Sequence, residues 1–518
     1  MSKVVIIDID GACRDIFYKV ASDKNTHFHR VIKISENHNK KPAYTASDNT
    51  IIFQDTTNVL PVYTLPNQAT IFTGLFPQNH GVMNNHIFDR HGISGGTKEH
   101  IAKYYGNLRA SNFYYGTSGS ANQMMQKGIK TIYDHLYEKN RKSAVFYSQY
   151  CSQMHAGEVN KIAFDLPWRT EPSFRYGPSI DWWIPSPLDV LAFPAQGFDE
   201  SGVFGKFINF DSEMMHDAVN YFEEMLDKNA PDLTTLYFAG NDHHCHKFGT
   251  WGKNNNKNQE YYLRNYCDSF FGCFLDLYEK YGYENETVYL FCSDHGHVDI
   301  NYPKNYIKKS SVPVLLNKNS YKCYDPLKWG SIEKFDVIIT YSCGTVQLHV
   351  RKNAKTNNWG TWNEPPFKKD LDQIIEIFLK KFPYIEQVDY IFRRKLQPYV
   401  WNSGYMNVYE NKDAESRHVD IDTRINEICC KNSGDIIVIL NHEQSSRFGS
   451  EDLKSVHGYG NIQDSYIPLV LCGKGMKNFI KNPSLNRKSR SVDITPTILD
   501  ILGLTAKNLD GQSLLCKK

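Results

Sequence analysis

The chain reads as an α/β protein: a mainly parallel central sheet with helices on both faces, carrying a smaller α+β cap as an insertion. Three observations predict this class. Short apolar runs rich in β-branched and aromatic residues alternate with longer amphipathic runs along the 518 residues. The short runs are continuously apolar, as strands covered on both faces require, whereas half-exposed strands alternate. The length exceeds a typical single core, so an inserted segment or a second domain is expected.

In chain order the predicted strands are "VVIIDID", "SAVFYS", "TTLYFAG", "TVYLFCSD", "DIIVIL" and "PLVLCG". The predicted helices, with apolar positions at 3.6-residue spacing, are "GIKTIYDHLYEKN", "MMHDAVNYFEEMLDKN", "YYLRNYCDSFFGCFLDLYEKYG" and "LDQIIEIFLKKF". Two stretches, 86–128 and 150–205, are rich in Gly, Ser, Tyr and Trp and read as loop insertions over one edge of the sheet. Residues 300–430 carry their own strands ("FDVIITYSCGTVQLHV") and a helix, and read as the cap. The core is then expected over 1–299 and 431–518, and "KNNNKNQ" reads as a solvated loop.

Composition narrows the function classes. Hydrophobic residues make up 41% and aromatics 14%, ample for a packed interior. A formal net charge of +2 gives no electrostatic case for a nucleic-acid groove or a membrane surface. No apolar run approaches 18 residues, and a strand-like run starts almost at Met1 with no signal-peptide pattern before it, so a soluble cytoplasmic protein is expected. The twelve cysteines include no C-x-x-C pair, and only Cys429 and Cys430 are close. They read as buried thiols of a reducing compartment.

In open parallel sheets ligands sit beyond the carboxyl ends of the strands, so the polar residues at those ends carry the functional question. "VVIIDIDG" ends in Asp10-Gly11, "TTLYFAGND" in Asp242 with His246 four residues on, and "TVYLFCSDHGH" in Asp294-His295. His457 precedes "IPLVLCG". Singly, a strand-end Asp is a turn or cap residue and a lone His a packed one. Jointly, three carboxylates and three imidazoles form mixed oxygen–nitrogen sets suited to zinc and similar divalent ions. Two such ions about 4 Å apart clamp the attacking and leaving oxygens of a phosphoryl displacement. Thr64, before Pro66 and the helical pattern "NQATIFTGL", falls at a helix N-terminus, where free N–H groups favour a phosphate. It reads as a nucleophile candidate or as a plain N-cap.

The ordered set Asp10-Gly11, Thr64-Leu65-Pro66-Asn67 with "TGLFPQNHGVMNN", Asp242-x-x-x-His246, Ser293-Asp294-His295-Gly296 and His457-Gly458 resembles the alkaline phosphatase superfamily. Within it the type I phosphodiesterase/nucleotide pyrophosphatase branch is the nearest likeness. "CGTVQLHV" is similar to a strand of that branch's cap, and "SRSVDITPTILDILGL" to its closing segment. The resemblance implies an alkaline phosphatase-like core and two divalent ions, zinc first and manganese second. One ion would be held by Asp242, His246 and His457, the other by Asp10, Asp294 and His295. It further implies Thr64 as a nucleophile that becomes phosphorylated, and Asn85 as donor to a phosphoryl oxygen. The implied substrate is a small phosphodiester or nucleotide, with no nucleic acid and no membrane as partner.

Tyr63 stands where many relatives carry Lys, and Asn84 where Asp is common; both bear on substrate preference. The sulfatase pattern is missing, since the corresponding stretch is T-L-P-N-Q. A phosphonoacetate-type phosphonate hydrolase or a phosphomonoesterase is the alternative enzyme, and a metal-binding scaffold with a retained fold the non-enzymatic alternative. Tyr114, Tyr176, Trp182 and Trp183 are candidates to stack on a base or to be core of the insertions. His243 and His244 are expected outside the ligand set, and Cys245 in ordinary packing.

Overall fold

The computed structural model describes residues 2–33, 44–47, 49–94, 103–105, 121–152, 173–176, 180–183, 202–225, 230–251, 257–323, 332–356, 360–396, 401–449, 452–481 and 487–518. Two sheets dominate. Their strands, in chain order, are β1 (Lys3–Ile9), β2 (Tyr44–Ser47), β3 (Thr50–Thr57), β4 (Ser143–Phe146), β5 (Ser173–Tyr176), β6 (Ile180–Trp183), β7 (Leu233–Phe238), β8 (Thr287–Cys292), β9 (Val337–Tyr341), β10 (Thr345–Val350), β11 (Val388–Arg394), β12 (Tyr405–Glu410), β13 (Ile436–Leu440) and β14 (Tyr466–Cys472). The main sheet runs β2-β3-β14-β8-β1-β7-β4-β6-β5.

The middle of that sheet is parallel, β8-β1-β7-β4-β6, and its margins are antiparallel. The sheet is therefore mixed, with the expected parallel block at its centre. The continuous apolar runs are explained by what each face meets. Val5, Ile7 and Ile9 of β1 pack with Phe17, Phe271 and Phe274 from helices Arg14–Ser22 and Asp268–Lys280. Val4 and Ile6 pack on the opposite side with Leu65, Ile71 and Leu499 from helices Thr64–Thr73 and Ile494–Ile501. Period-two alternation is present, but both faces demand apolar residues.

Two parts of the sequence reading change. The stretch 150–205, expected as loop, contributes β5 and β6 to the sheet edge. Tyr114 lies outside the described residues, and for Tyr176, Trp182 and Trp183 only the strand backbone is described. The second change concerns "DIIVIL", which the boundary at 430/431 assigns to the core. As β13 it is instead the central strand of the second sheet, an antiparallel array in the order β9-β10-β13-β11-β12. An apolar run with no polar interruption looks alike in either sheet; only its pairing partners distinguish them.

β13 also shows how the second sheet is fixed. Ile436, Val438 and Leu440 pack outward with Leu371, Ile374 and Phe378 of helix Lys368–Lys381. Ile437 and Ile439 pack inward, in one cluster with Leu65, Ile71 and Met83. The second sheet thus shares one apolar core with the Thr64 helix. Ile437 is fully buried, and Ile437→Ala should cost about 2–5 kcal/mol in urea unfolding; a loss under about 0.5 kcal/mol would mean the inward face carries no packing.

Candidate active site

β8, β1 and β7 are neighbours at the centre of the sheet, about 4.8 Å apart. Their carboxyl ends therefore deliver Asp294 and His295, Asp10, and Asp242 to one place. Asp10 directly follows β1. Gly11 then turns with φ +68°, and a Cβ there would lie 2.6 Å from the His297 ring, so only glycine fits. The Gly11 amide donates to Asp294 Oδ1 at 3.1 Å, as does the His295 amide at 2.9 Å.

"NDHHCHKFG", which follows β7, lies within a helix, Gly240–Phe248, apart from its closing glycine. Residues four apart share a helix face, so Asp242 and His246 point the same way; Asp242 Oδ2 is 3.5 Å from His246 Nε2. His243 belongs to none of the candidate ligand groups. His244 is buried against Phe248 and Tyr262 and bonds the Lys257 carbonyl at 2.8 Å. Cys245 is buried and accepts from Gln259.

Thr64 is the first residue of helix Thr64–Thr73, and its Oγ1 lies 3.2 Å from His295 Nε2. Asn85 Oδ1 accepts from the Leu65 amide at 2.9 Å. That bond fixes the carboxamide and leaves its NH₂ as a donor beside the threonine. Tyr63 is buried, its ring 4.7 Å from that of His457, and its hydroxyl accepts from the Cys343 amide in the β9–β10 turn. Asn84 is buried and accepts from the Asn85 amide. Both departures from the family pattern therefore brace neighbours of the site.

Three groups of side chains bring ligand atoms within 4.8 Å of one another: Asp10 with Asp294 and His295, Asp242 with His295 and His457, and Asp242 with His246 and His297. The set Asp242, His246 and His457 is spread over the last two, with His457 Nε2 3.6 Å from Asp242 Oδ1. His297, not singled out in the sequence, is fully enclosed, with Nε2 2.7 Å from Asp242 Oδ1. The available signal was the alternation His295-Gly296-His297: in extended chain, residues two apart point to one side.

The chemistry of these donors fits divalent cations. Nδ1 of His246, His295 and His457 faces the carbonyl oxygen of Ser455, Gly296 and Val62 respectively, at 2.8, 3.1 and 2.9 Å. His297 Nδ1 faces Ser455 Oγ at 3.0 Å, whose own proton goes to the Cys245 carbonyl at 2.6 Å. Each ring must therefore carry its proton on Nδ1, and in a neutral ring Nε2 presents a lone pair. Those lone pairs face carboxylate oxygens, acceptor against acceptor. Asp10 Oδ1 and Asp294 Oδ2 are buried with no hydrogen-bond partner. Burial, followed by the charges of Asp294 and Asp242, pushes Asp10 well above the usual carboxylate range. Burial likewise holds the His297 ring down at about 4, and His457 well below its ordinary value. A pair of cations would resolve all these conflicts together.

An open sheet that gathers carboxylates, imidazoles and a helix-leading threonine at its carboxyl edge is the plan of the alkaline phosphatase superfamily. Within that class the chain belongs to the type I phosphodiesterase/nucleotide pyrophosphatase family, whose sequence profile matches residues 4–459; the family's members are hydrolases of phosphoester bonds. Human ectonucleotide pyrophosphatase/phosphodiesterase family member 5 is 33% identical over 87 residues, 17% of this chain and 14% of that protein. The matched stretch thus spans about one seventh of that relative. The fold is shared with murine ectonucleotide pyrophosphatase/phosphodiesterase 5, solved as an inactive variant in complex with AMP (TM-score 0.56, 16% identity, 100% of both chains covered). It is shared also with alkaline phosphatase PafA (TM-score 0.55, 15% identity, 99% and 98% covered).

One support of the site is titratable. Asp211 accepts from the Gly240 amide at 3.1 Å and from the Tyr262 hydroxyl at 2.7 Å, holding the N-terminus of the Asp242 helix. Burial pushes its carboxyl up to about 7, against those bonds. A carboxyl raised in the folded state is a cost that appears as pH rises above the unfolded value and is complete above the folded one. Asp211→Asn keeps an acceptor and removes the charge. The variant should therefore gain stability relative to wild type between pH 4 and 8, by up to about 4 kcal/mol, seen as a widening difference in melting temperature. A constant difference would exclude an ionised buried Asp211.

Proposed function

We propose that this protein is a two-cation phosphodiesterase or nucleotide pyrophosphatase that works through a phosphorylated Thr64. The observation that carries the reading is the convergence of Thr64, Asn85 and the three carboxylate–imidazole groups at one sheet edge. Asp10, Asp294 and His295 would hold one ion. Asp242, His246 and His457 would hold the other, with His297 against the same carboxylate. Zinc suits this mixture of oxygen and nitrogen donors, and manganese is the second choice. When bound, such ions supply Lewis acidity and a lowered hydroxyl pKa at neutral pH.

The chain's own residues account for the rest. The Thr64 hydroxyl gives up its proton and its oxygen attacks phosphorus; the new bond to phosphorus forms as the bond to the leaving alcohol or phosphate breaks, and the leaving oxygen takes up a proton in turn, so that none is gained or lost overall. The Asn85 NH₂ donates to a non-bridging oxygen, which gathers charge in the transition state. Water then attacks the phosphothreonine, releasing a monoester and restoring the hydroxyl. The buried arginines among the described residues have other partners: Arg90 and Arg394 bond Asp435, Arg424 bonds Asn58, and Arg351, Arg393 and Arg447 bond Glu333, Asp372 and Pro303. That favours a singly charged diester over a doubly charged monoester. The AMP complex of the murine neighbour supports a nucleotide-sized substrate. Cys13, Cys245, Cys267, Cys292 and Cys472 are buried as thiols, which supports an intracellular, reducing setting.

Bis-p-nitrophenyl phosphate should be hydrolysed faster than p-nitrophenyl phosphate or phosphonoacetate; faster turnover of the monoester would overturn the assignment. Thr64→Ala should lower kcat by roughly 10⁴-fold or more, and Asn85→Ala by about 10²–10³-fold. Elemental analysis should find close to two ions per chain in the wild type and fewer in His246→Ala, with His243→Ala near wild type. Undiminished hydrolysis by Thr64→Ala would remove the threonine from the mechanism.

A further inference from the structure

His457 opens a short strap, residues 457–460, that is bonded from two sides. From the core, the Asp464 carboxylate accepts from the amides of Gly458, Tyr459 and Gly460, at 3.0, 2.8 and 3.1 Å. From the region of the second sheet, three donors take the three carbonyls. Thr345 Oγ1 bonds Gly458 O at 2.7 Å, His418 Nδ1 bonds Tyr459 O at 3.1 Å, and the Val419 amide bonds Gly460 O at 2.9 Å.

The His418 ring is fully enclosed, and its second nitrogen also faces an acceptor. Nε2 is 2.9 Å from Asp389 Oδ2. Asp389 lies in β11 where the pairing with β13 shifts register between Val388 and Tyr390, and such an irregularity re-aims a side chain. Burial alone would raise the Asp389 carboxyl, yet the bonds from His418 and Arg417 hold it below the usual range. A carbonyl and an ionised carboxylate can only accept, so the two bonds together need both ring protons. The other groups facing this ring are His442, with ring centres 6.2 Å apart, and the ring of Tyr390. Arg417 shares the carboxylate and reaches Glu443, and Arg424 bonds the Val419 and Gly460 carbonyls.

We propose that His418, protonated on both ring nitrogens, is a positioning residue for the candidate active site. It ties the Asp389 carboxylate of the second sheet to the strap carbonyl two residues beyond His457, so that the second sheet sets where the His457 imidazole stands. The inference rests on the phosphodiesterase reading only in that His457 serves that site.

The test uses the full-length wild type, His418→Phe and His418→Gln, with Asp389→Asn in reserve should the ring variants fail to fold. In histidine-¹⁵N-labelled protein at pH 6.5, the signal absent from His418→Phe should show protons on both nitrogens; a singly protonated ring would overturn the proposal. Competition with a chromophoric chelator should show zinc held about 10-fold more weakly by each variant. Turnover of bis-p-nitrophenyl phosphate should fall about 10-fold in kcat with KM little changed. A lowered melting temperature with unchanged zinc affinity and unchanged kcat per folded molecule would mean that His418 only stabilises the fold, and would also overturn it. Wild-type protein that binds zinc without hydrolysing the diester would refute the phosphodiesterase reading, while the nitrogen spectra and zinc affinities still decide the role of His418.

Discussion

Asp10, Asp242 and Asp294 share one small buried space because three adjacent strands end there, and much of the surrounding structure answers to that crowding. Two like charges 4–5 Å apart repel by roughly 3–4 kcal/mol even at an effective dielectric of 20, and burial adds a desolvation cost to each. No lysine or arginine bonds these carboxylates in the described residues; imidazoles, a tyrosine hydroxyl and backbone amides surround them instead. Such an arrangement is stable in full only with added positive charge. The same constraint explains the high carboxyl of Asp10 and its orphaned oxygen.

The imidazoles are organised for that purpose by the atoms behind them. A backbone carbonyl or a serine hydroxyl takes the Nδ1 proton of each ring, so every ring turns the same nitrogen inward. Orientation is thereby determined by backbone positions far apart in the chain: Val62, Gly296 and Ser455. The threonine is treated similarly. Its helix shares one apolar core with the main sheet and the inward face of β13, and Asn85 is aligned by the Leu65 amide in the first turn of that helix.

This makes the second sheet more than a cover. Its inward residues share a core with the Thr64 helix, its β9–β10 turn meets Tyr63, and donors from it and from the segment beside it hold the strap that carries His457. A shift of that sheet would be felt at both ends of the candidate site, through the core shared with the Thr64 helix and through hydrogen bonds beside His457.

The class of fold was legible in the sequence because strands buried on both faces are mostly apolar without alternation, and β1, β4, β7 and β8 are. The six candidate ligands and Thr64 were legible because strand ends and helix starts are marked by local composition, Asn85 only through the family resemblance, and the structure brings all of them to one edge. Three features were not legible. β13 could not be assigned to its sheet, since an apolar run does not name its partners; β5 and β6 were hidden among glycines and prolines; and His297 carried only its alternation with His295, which does not name Asp242 as the group its ring meets. What the sequence determined by itself was the set of chemical groups and the elements that carry them, because periodicity and capping act over a few residues. Tertiary structure alone decided which groups meet, which nitrogen each ring presents and how the second sheet grips the site. Those depend on register and on contacts between residues hundreds of positions apart.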